Sequence, residues 1–293
     1  MANEGRKGNT IRGAFVQTQP KFGKNEENVE EAIRIASKVK ADLYVFPELC
    51  NSGYAFRTKE EAVQLSESLE SGVSVERFLS FSEKRKCSVV AGLAEKDRND
   101  VTYNSSVIIE RGKILGSYRK MHLFYRERLW FAQSDDGFKV FDLESLNCKI
   151  GVLICFDWIF PEASREVTLM GADVICHPSN LVLPGKAQVG MMTRAFENKI
   201  FVITANRVGS ENRGPKDKFK FTGFSQIISP KMEKLASANG TEKVARAARL
   251  DISLARNKNA TSMNNLLEDR RLMFYNHTFS RPRTEKEVTI LSK

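Results

Sequence analysis

Long apolar runs are missing from this chain of 293 residues, and no stretch of eighteen consecutive apolar residues occurs. A membrane-spanning helix needs about 20 such residues, so we expect none. The first seven residues are polar and lack the apolar segment of a secretory signal. The sequence therefore predicts a cytoplasmic protein with no membrane partner.

Paired cysteines and clustered histidines are also missing. The five cysteines are an odd number without paired spacing, which is typical of reduced intracellular thiols and not of a disulfide framework. There are three histidines, and the sequence contains no C-x-x-C or H-E-x-x-H motif. Gly-rich phosphate loops of the G-x-G-x-x-G or G-x-x-x-x-G-K type are absent as well. We expect neither a metal ion nor an organic cofactor.

Acidic side chains are fewer than basic ones, 36 against 46, which gives a formal net charge of +10 at pH 7. A basic excess is one signature of nucleic-acid binding. The basic residues are scattered, however, and the densest stretch, Arg207 to Lys220, also contains Glu211 and Asp217. Such a mixture is typical of a solvated loop, so we predict no nucleic-acid partner. The basic surface could still attract an anionic substrate.

The apolar pattern alternates between strands and helices along the chain. A strand-like run at residues 11–18 precedes apolar residues at helical spacing over residues 25–40, and the second half repeats this order. Arg111 and Gly112 separate two strand-like runs and predict a hairpin, and residues 221–228 and 244–251 predict two further, antiparallel strands. No Pro/Gly/Ser-rich linker or internal repeat is present. We therefore predict one α/β domain in which helices cover a mixed sheet.

The tail beyond Leu254 is too polar to belong to the core. Its segment Met263–Phe274 carries apolar residues among polar neighbours and predicts a helix. Little adjacent sequence is left to cover these apolar side chains. We therefore expect the tail to pack on a second copy of the chain, which would be at least a homodimer.

Three ionisable side chains follow predicted buried strands. Glu48, Lys120 and Cys155 each lie at or just beyond the end of an apolar run, and catalytic groups tend to collect at such strand ends. A desolvated Glu48 would be a competent base for the Cys155 thiol, and Lys120 could stabilise an anionic oxygen. Because Pro161 is a favoured first helical residue, Cys155 is expected in a strand-to-helix elbow with free N–H groups. The combination predicts an enzyme with a thiol nucleophile.

Two other interpretations remain open. Cys155 could instead pair with His177 or His122, with Asn180 or Asn206 orienting the ring, as in a Cys–His acyltransferase or protease. Each of the three side chains also has an ordinary structural explanation, because buried thiols and exposed acids and lysines are common. A catalytically inactive binding protein is therefore the third hypothesis.

The segments around these residues resemble the nitrilase superfamily of carbon–nitrogen hydrolases. The likeness extends from about Ile11 to Tyr275, in the family's order and spacing. The matching segments are Phe46-Pro47-Glu48, Tyr118-Arg119-Lys120-Met121-His122-Leu123-Phe124, Gly151-Val152-Leu153-Ile154-Cys155-Phe156-Asp157, Phe160-Pro161-Glu162-Ala163-Ser164-Arg165, Ala195-Phe196-Glu197-Asn198 and Thr204-Ala205-Asn206-Arg207-Val208-Gly209.

The resemblance implies a four-layer αββα sandwich formed by a carbon–nitrogen hydrolase domain at residues 11–253. A flexible N-terminus, residues 1–10, would precede this domain. A C-terminal arm, residues 254–293, would follow it and lie at the interface of a dimer. Such a dimer would extend the layers into an αββα–αββα stack.

The same resemblance implies a role for each site residue. Glu48 would be the general base, Cys155 the nucleophile and Lys120 the stabiliser of the tetrahedral intermediate. Glu127 matches a second glutamate that many members place near the substrate. The backbone N–H of Phe156 would be the second oxyanion donor. The substrate pocket would be lined by Phe124, Phe156, Trp158 and Asn180.

Two positions depart from many family members. Phe156 follows the nucleophile where Tyr or Trp is frequent, and Ile159 stands where Arg is frequent, so we expect a less polar pocket. The similarity to a prokaryotic branch of amide hydrolases and aliphatic nitrilases implies hydrolysis of a non-peptide C–N bond in a small amide or carbamoyl compound. The reaction would pass through a Cys155 thioester and release ammonia or an amine. A nitrile could enter the same site through a thioimidate, so an aliphatic nitrilase is the alternative.

Overall fold

The computed structural model describes residues 9–215 and 218–275. Residues 1–8 of the predicted flexible N-terminus and residues 276–293 of the predicted arm lie outside this range. The strands are β1 (Thr10–Gln17), β2 (Leu43–Val45), β3 (Ser88–Lys96), β4 (Thr102–Glu110), β5 (Lys113–Arg119), β6 (Val140–Leu143), β7 (Cys148–Val152), β8 (Val174–Pro178), β9 (Phe201–Ala205), β10 (Ser210–Asn212), β11 (Lys218–Lys220), β12 (Gln226–Ile228), β13 (Lys234–Ser237) and β14 (Val244–Asp251).

The α-helices of the described residues are α1 (Asn25–Ala36), α2 (Lys59–Leu65), α3 (Val73–Arg85), α4 (Pro161–Leu169), α5 (Lys186–Asn198), α6 (Ile252–Arg256) and α7 (Leu272–Tyr275). Short 3₁₀ turns cover Tyr125–Leu129, Glu144–Leu146 and Cys155–Ile159. Across the described ranges, no helix combines the length and the apolar character needed to cross a bilayer.

Two six-stranded sheets form the framework. Their strand orders are β14-β1-β2-β3-β4-β5 and β13-β12-β9-β8-β7-β6, and β10 pairs separately with β11. Strands β1, β2 and β3 run parallel, as do β7, β8 and β9, while the outer strands join them antiparallel. The parallel strands of each sheet therefore have their C-terminal ends on the same side of that sheet. There, the loop after β2 carries Glu48, and the segment after β7 carries Cys155.

Alternate strand residues face two different cores. In β1, Phe15 belongs to the core between the two sheets, whereas Ala14 and Val16 belong to the core beneath α1 and α3. Helices α4 and α5 cover the second sheet with side chains such as Val167 and Met191. Because side chains of a strand alternate between faces, each sheet buries both sides. The result is the αββα sandwich that the resemblance implies.

Strand β3 lies directly against the loop that carries Glu48. A Cβ atom at position 92 would lie 2.4 Å from the Glu48 Cα and 2.5 Å from the Pro47 carbonyl oxygen. The backbone N–H of Cys50 donates to the Gly92 carbonyl at 2.9 Å. Gly92 therefore permits a close approach that fixes the position of the Glu48 loop.

The predicted strand at residues 221–228 is longer than the observed one, since β12 covers only Gln226–Ile228. Gly223 and Phe224 have φ angles of 65° and 54°. These left-handed conformations are incompatible with an extended strand. The prediction is therefore wrong for residues 221–225.

The chain divides after Asn257 into two compact units. In the second unit, the predicted helix Met263–Phe274 is wrong, because the helix is a single turn at Leu272–Tyr275. Thr261 and Asn265 accept hydrogen bonds from backbone N–H groups two and three residues further along. Side chains that bind neighbouring N–H groups compete with helix formation.

Candidate active site

A lysine ammonium lies between two carboxylates at the base of the site. The Lys120 Nζ atom donates to Glu48 Oε1 at 2.6 Å and to Glu127 Oε1 and Oε2 at 3.0 and 2.8 Å. All three side chains are fully buried. Burial favours the neutral amine, but the carboxylates of Glu127 and Glu48 outweigh it and raise the pKa of Lys120. Lys120 is therefore positively charged at neutral pH.

The two oxygens of Glu48 differ in their surroundings. Asn104 Nδ2 donates to Oε1 at 2.7 Å, in addition to Lys120. The Oε2 atom is buried and has no hydrogen-bond partner within the described part of the chain. A carboxylate oxygen accepts hydrogen bonds through its lone pairs, and no described residue occupies those of Oε2. Oε2 is thus available as a proton acceptor.

The carboxylate of Glu127 is fixed from several sides. The Tyr54 hydroxyl donates to Oε1 at 2.8 Å, and the Phe124 backbone N–H donates to Oε2 at 3.1 Å. Burial raises the pKa of the Glu127 carboxyl, and the Lys120 charge opposes this shift. The hydrogen bonds hold both oxygens against the ammonium group.

Cys155 occupies a strained turn between a strand and a helix. Strand β7 ends at Val152, and the 3₁₀ turn Cys155–Ile159 leads directly into α4. The backbone φ of Cys155 is 42°, a left-handed conformation that costs energy in a residue with a Cβ atom. The residue is 7% exposed. The turn brings the thiol to the end of the sheet, as the sequence predicts.

A buried aspartate couples this turn to the lysine segment. The Asp157 carboxylate accepts hydrogen bonds from the Tyr118 hydroxyl at 2.8 Å, the Ile154 N–H at 2.9 Å and the His122 N–H at 3.1 Å. The His122 Nδ1 atom also lies 2.7 Å from Asp157 Oδ1. Since Lys120 lies between Tyr118 and His122 in the chain, Asp157 fixes the lysine segment relative to the turn that carries Cys155.

The thiol is protonated at rest. Burial and the Glu48 carboxylate raise the pKa of Cys155 well above its ordinary value, although Lys120 and the Asn180 backbone N–H oppose the shift. A thiol in this state needs a base before it can attack. The neighbouring Glu48 has a free carboxylate oxygen for that purpose.

His177 contacts the backbone of Cys155. Its Nε2 atom lies 3.0 Å from the Cys155 carbonyl oxygen, and its Nδ1 atom lies 3.1 Å from Thr204 Oγ1. Because a carbonyl only accepts hydrogen bonds, Nε2 carries the proton and Nδ1 accepts from Thr204. Burial lowers the pKa of His177 to about 4, so the ring is neutral. Asn206 Oδ1 accepts from the Leu181 N–H instead of orienting this ring.

The predicted pocket residues line a small cavity beside Cys155. Phe124, Phe156, Trp158 and Asn180 all contribute to its wall together with Cys155. The rings of Phe124 and Phe156 lie 5.1 Å apart between centroids. The charges of Glu48, Lys120 and Glu127 are near enough to Cys155 to shift the pKa of its thiol. The structure thus brings the eight predicted site residues into one region.

Tyr54 and Asn104 bind Glu127 and Glu48, and Asp157 binds the segments that carry Lys120 and Cys155, but none of the three was identified from the sequence. Asp157 lies inside the matched cysteine segment and carries a weak signal, whereas Asn104 lies among other polar residues at the start of β4 and does not stand out. Tyr54 carries none, because its partner Glu127 is 73 residues away. Within residues 9–215 and 218–275, no three His, Cys, Asp or Glu side chains are grouped as a metal site requires.

Comparisons with known proteins agree with this arrangement. The family model for carbon-nitrogen hydrolases matches residues 12–258. The chain is 44% identical over 268 residues to a nitrilase of Pyrococcus abyssi, covering 90% of this chain and 99% of the relative. It is 34% identical over 235 residues to a 2-oxoglutaramate amidase of Bacillus subtilis, covering 77% and 85%. The crystal structure of a carbon-nitrogen hydrolase from Helicobacter pylori G27 has a TM-score of 0.83 and 26% identity, covering 93% and 99%. The chain therefore belongs to the carbon–nitrogen hydrolase family of the nitrilase superfamily and is an enzyme that hydrolyses carbon–nitrogen bonds.

Proposed function

We propose that this protein hydrolyses a small amide or carbamoyl compound through a thioester on Cys155. The observation that carries the proposal is the buried Lys120 ammonium, which lies between Glu48 and Glu127 beside a protonated thiol. A general base, a positive charge and a nucleophile in one desolvated place are the components of acyl transfer. The products are a carboxylic acid and either ammonia or an amine.

In the first half of the reaction, Glu48 Oε2 accepts the thiol proton while the sulfur attacks the amide carbon. The Lys120 ammonium and the Phe156 backbone N–H stabilise the negative charge that develops on the amide oxygen. Glu48 then gives its proton to the amide nitrogen, the C–N bond breaks, and ammonia or an amine leaves. The acyl group remains on Cys155 as a thioester.

In the second half, Glu48 takes a proton from a water molecule, which attacks the thioester carbon. A second tetrahedral intermediate forms at the same oxyanion site. The C–S bond breaks, the sulfur recovers a proton, and the acid leaves. Each half uses the same three side chains, so no further group is required.

A nitrile is the alternative substrate, and the 44% identity to a relative named nitrilase favours it. The thiol would add to the nitrile carbon to give a thioimidate. Addition of water and loss of ammonia would convert the thioimidate into the same thioester. The hydrolysis of an amide and the hydrolysis of a nitrile would therefore pass through the same thioester.

The contacts of His177 count against a Cys–His mechanism. Its protonated nitrogen donates to the Cys155 carbonyl, and its lone pair accepts from Thr204. The His122 Nδ1 atom is bound to Asp157. The surroundings of Glu48 also count against an inactive binding protein. A buried carboxylate oxygen without a hydrogen-bond partner does not stabilise the fold, so a purely structural role does not explain it.

The test is a set of four variants assayed for ammonia release from short amides and nitriles. Glu48→Gln, Lys120→Ala and Cys155→Ala should each lose about 10³-fold or more in kcat, because residues that act as a unit fail together. His177→Gln is the matched control and should stay within about tenfold of wild type, since it can still donate to the Cys155 carbonyl. Circular dichroism checks the fold of each variant. An active Glu48→Gln with an inactive but folded His177→Gln would support the Cys–His mechanism instead.

We also propose that the protein is at least a homodimer in the cytoplasm. In the second unit, the apolar side chains of Met263, Leu272 and Met273 are 90%, 54% and 70% exposed. Apolar groups exposed to this extent are typical of a surface that another chain covers. Light scattering should report a dimer or a larger oligomer for the whole chain and a smaller particle after truncation at Asn257.

A further inference from the structure

The cavity beside Cys155 has an uncharged wall. Its lining includes Phe124, Phe156, Trp158, Leu181 and Leu183, and no charged residue is among those that the structure describes there. A charged group entering this cavity would lose its hydration without gaining an ionic partner. The wall therefore disfavours a substrate with a carboxylate or an ammonium group on its acyl chain.

The charged groups near Cys155 are already paired with one another. The Lys120 ammonium donates to Glu48 and Glu127, and in the proposed mechanism it also stabilises the oxyanion of the reacting carbonyl group. It is therefore not a separate counter-ion for a carboxylate on the acyl chain. Both glutamates pair with the positive charge of Lys120, and the remaining oxygen of Glu48 is needed as the proposed base, so neither is available to bind an ammonium group on the acyl chain.

One polar side chain in the cavity wall has no partner. Asn180 is 2% exposed, and both its Oδ1 and Nδ2 atoms are buried without a hydrogen bond to any described residue. Asn180 and Cys155 line the same cavity, so Asn180 lies near the proposed nucleophile. Buried amide groups are nearly always hydrogen-bonded. A free donor and a free acceptor at this position match a neutral group, such as a hydroxyl, that both donates and accepts.

The size of the cavity limits the acyl chain. Its empty volume is about 320 Å³, part of it open to solvent, which is at the small end of the range for ligand sites, about 300–1,000 Å³. A cavity of this size fits a short acyl chain better than a long one.

We propose that the substrate has a short, uncharged aliphatic acyl chain and that Asn180 binds a neutral hydrogen-bonding group on this chain. The inference rests on the proposed hydrolysis at Cys155, since it describes the acyl side of that reaction. It selects against monoamides of dicarboxylic acids and against amides of amino acids.

Four propionamides that differ only at carbon 3 test the proposal. They carry a methyl group (butyramide), a hydroxyl (3-hydroxypropionamide), a carboxylate (succinamate) or an ammonium (3-aminopropionamide). The two neutral amides should exceed both charged ones by about 10²-fold or more in kcat/KM, because the charged groups find no partner. A charged amide that equals or exceeds butyramide would overturn the proposal.

Substitution of Asn180 tests the hydrogen-bonding part. In Asn180→Leu, the ratio of kcat/KM for the hydroxyl compound to that for butyramide should fall about tenfold. In Asn180→Asp, the ratio of kcat/KM for 3-aminopropionamide to that for butyramide should rise by a similar factor, because the new carboxylate would pair with the ammonium group of this substrate. Unchanged ratios in both variants would show that Asn180 does not contact the acyl chain.

Protection of Cys155 against iodoacetamide separates this inference from the proposed function. The neutral amides should slow alkylation at lower concentrations than the charged ones, whether or not they are hydrolysed. If no amide is hydrolysed but the neutral amides still protect Cys155 better than the charged ones, the proposed function fails and the preference for an uncharged acyl chain stands. If charged amides protect equally well, the acyl specificity fails.

Discussion

At the scale of single residues, Tyr54 is bound through both its side-chain hydroxyl and its backbone N–H. Its hydroxyl donates to Glu127 at 2.8 Å, and its backbone N–H donates to the Glu211 carboxylate at 3.1 Å. Glu211 also accepts from the Ala55 N–H and from the fully buried guanidinium of Arg207. These contacts connect a buried ion pair to the second glutamate of the site. Tyr54 is therefore a positioning residue that acts on Lys120 through Glu127.

Removal of the Tyr54 hydroxyl tests this role. Tyr54→Phe should lower kcat about 10- to 100-fold with a smaller change in KM, because a buried hydrogen bond to a charged group contributes about 1.5–3 kcal/mol. Tyr125→Phe is the matched control, since Tyr125 is 61% exposed and lies two residues before Glu127. Steady-state kinetics of both variants give the answer. A Tyr54→Phe variant that loses thermal stability but retains kcat would show that Tyr54 has only a structural role.

Single residues also show which features could be predicted from the sequence and which could not. Glu48, Lys120 and Cys155 were identified because each follows an apolar strand, a local pattern. The Arg207–Lys220 stretch was predicted to be a solvated loop, which is wrong for its first residues. Arg207 is fully buried and Glu211 is 6% exposed, and the guanidinium carbon lies 3.9 Å from the centroid of the Phe221 ring. Such burial depends on partners distant in sequence.

At the scale of elements, the contact between β3 and the Glu48 loop positions the proposed general base. Gly92→Ala should lower the free energy of unfolding by about 1–3 kcal/mol, because the added methyl group meets backbone atoms that cannot move freely. It should also lower kcat, since relief of the clash displaces Glu48. Urea denaturation and kinetics measure the two effects.

Gly13→Ala is the control for this substitution. Its Cβ would meet the side chains of Ile203 and Leu250 at 2.7 and 2.9 Å, away from the Glu48 loop. This variant should lose stability but keep its kcat when folded. Equal kcat values for the two variants would contradict a special role for the β3 contact.

Element prediction succeeded where a local pattern and tertiary packing agree. Strand β14 was predicted with its observed bounds, Val244–Asp251, since its apolar residues fit one strand. The tail helix at residues 263–274 failed because Thr261 and Asn265 bind the backbone N–H groups that a helix would use. The strand at 221–228 failed because two left-handed residues interrupt it.

At the scale of the whole molecule, buried His177 makes stability depend on pH. Its pKa falls from an ordinary 6.5 to about 4 in the folded protein. Between these values the unfolded chain binds more protons, so stability is fully present above about pH 6.5 and is lost as the pH falls towards 4. The loss amounts to about 3 kcal/mol for this group.

Urea denaturation at pH 7 and pH 4 checks this contribution. His177→Gln should lose less stability between the two pH values than wild type, by about 3 kcal/mol, because glutamine does not titrate. Wild type and His177→Gln with parallel pH profiles would mean that His177 is not kept neutral by the fold.

The layered fold brings the Cys155 thiol near the Glu48 carboxylate and the buried Lys120 ammonium, and the proposed reaction passes through a thioester on that thiol. Acid-quenched intact-mass measurement during turnover of butyramide tests it most directly, followed by peptide mapping. We predict a mass increase of one butyryl group located on Cys155, and no increase in Cys155→Ala. Turnover without any adduct on Cys155, or with the adduct on another residue, would contradict the thioester mechanism.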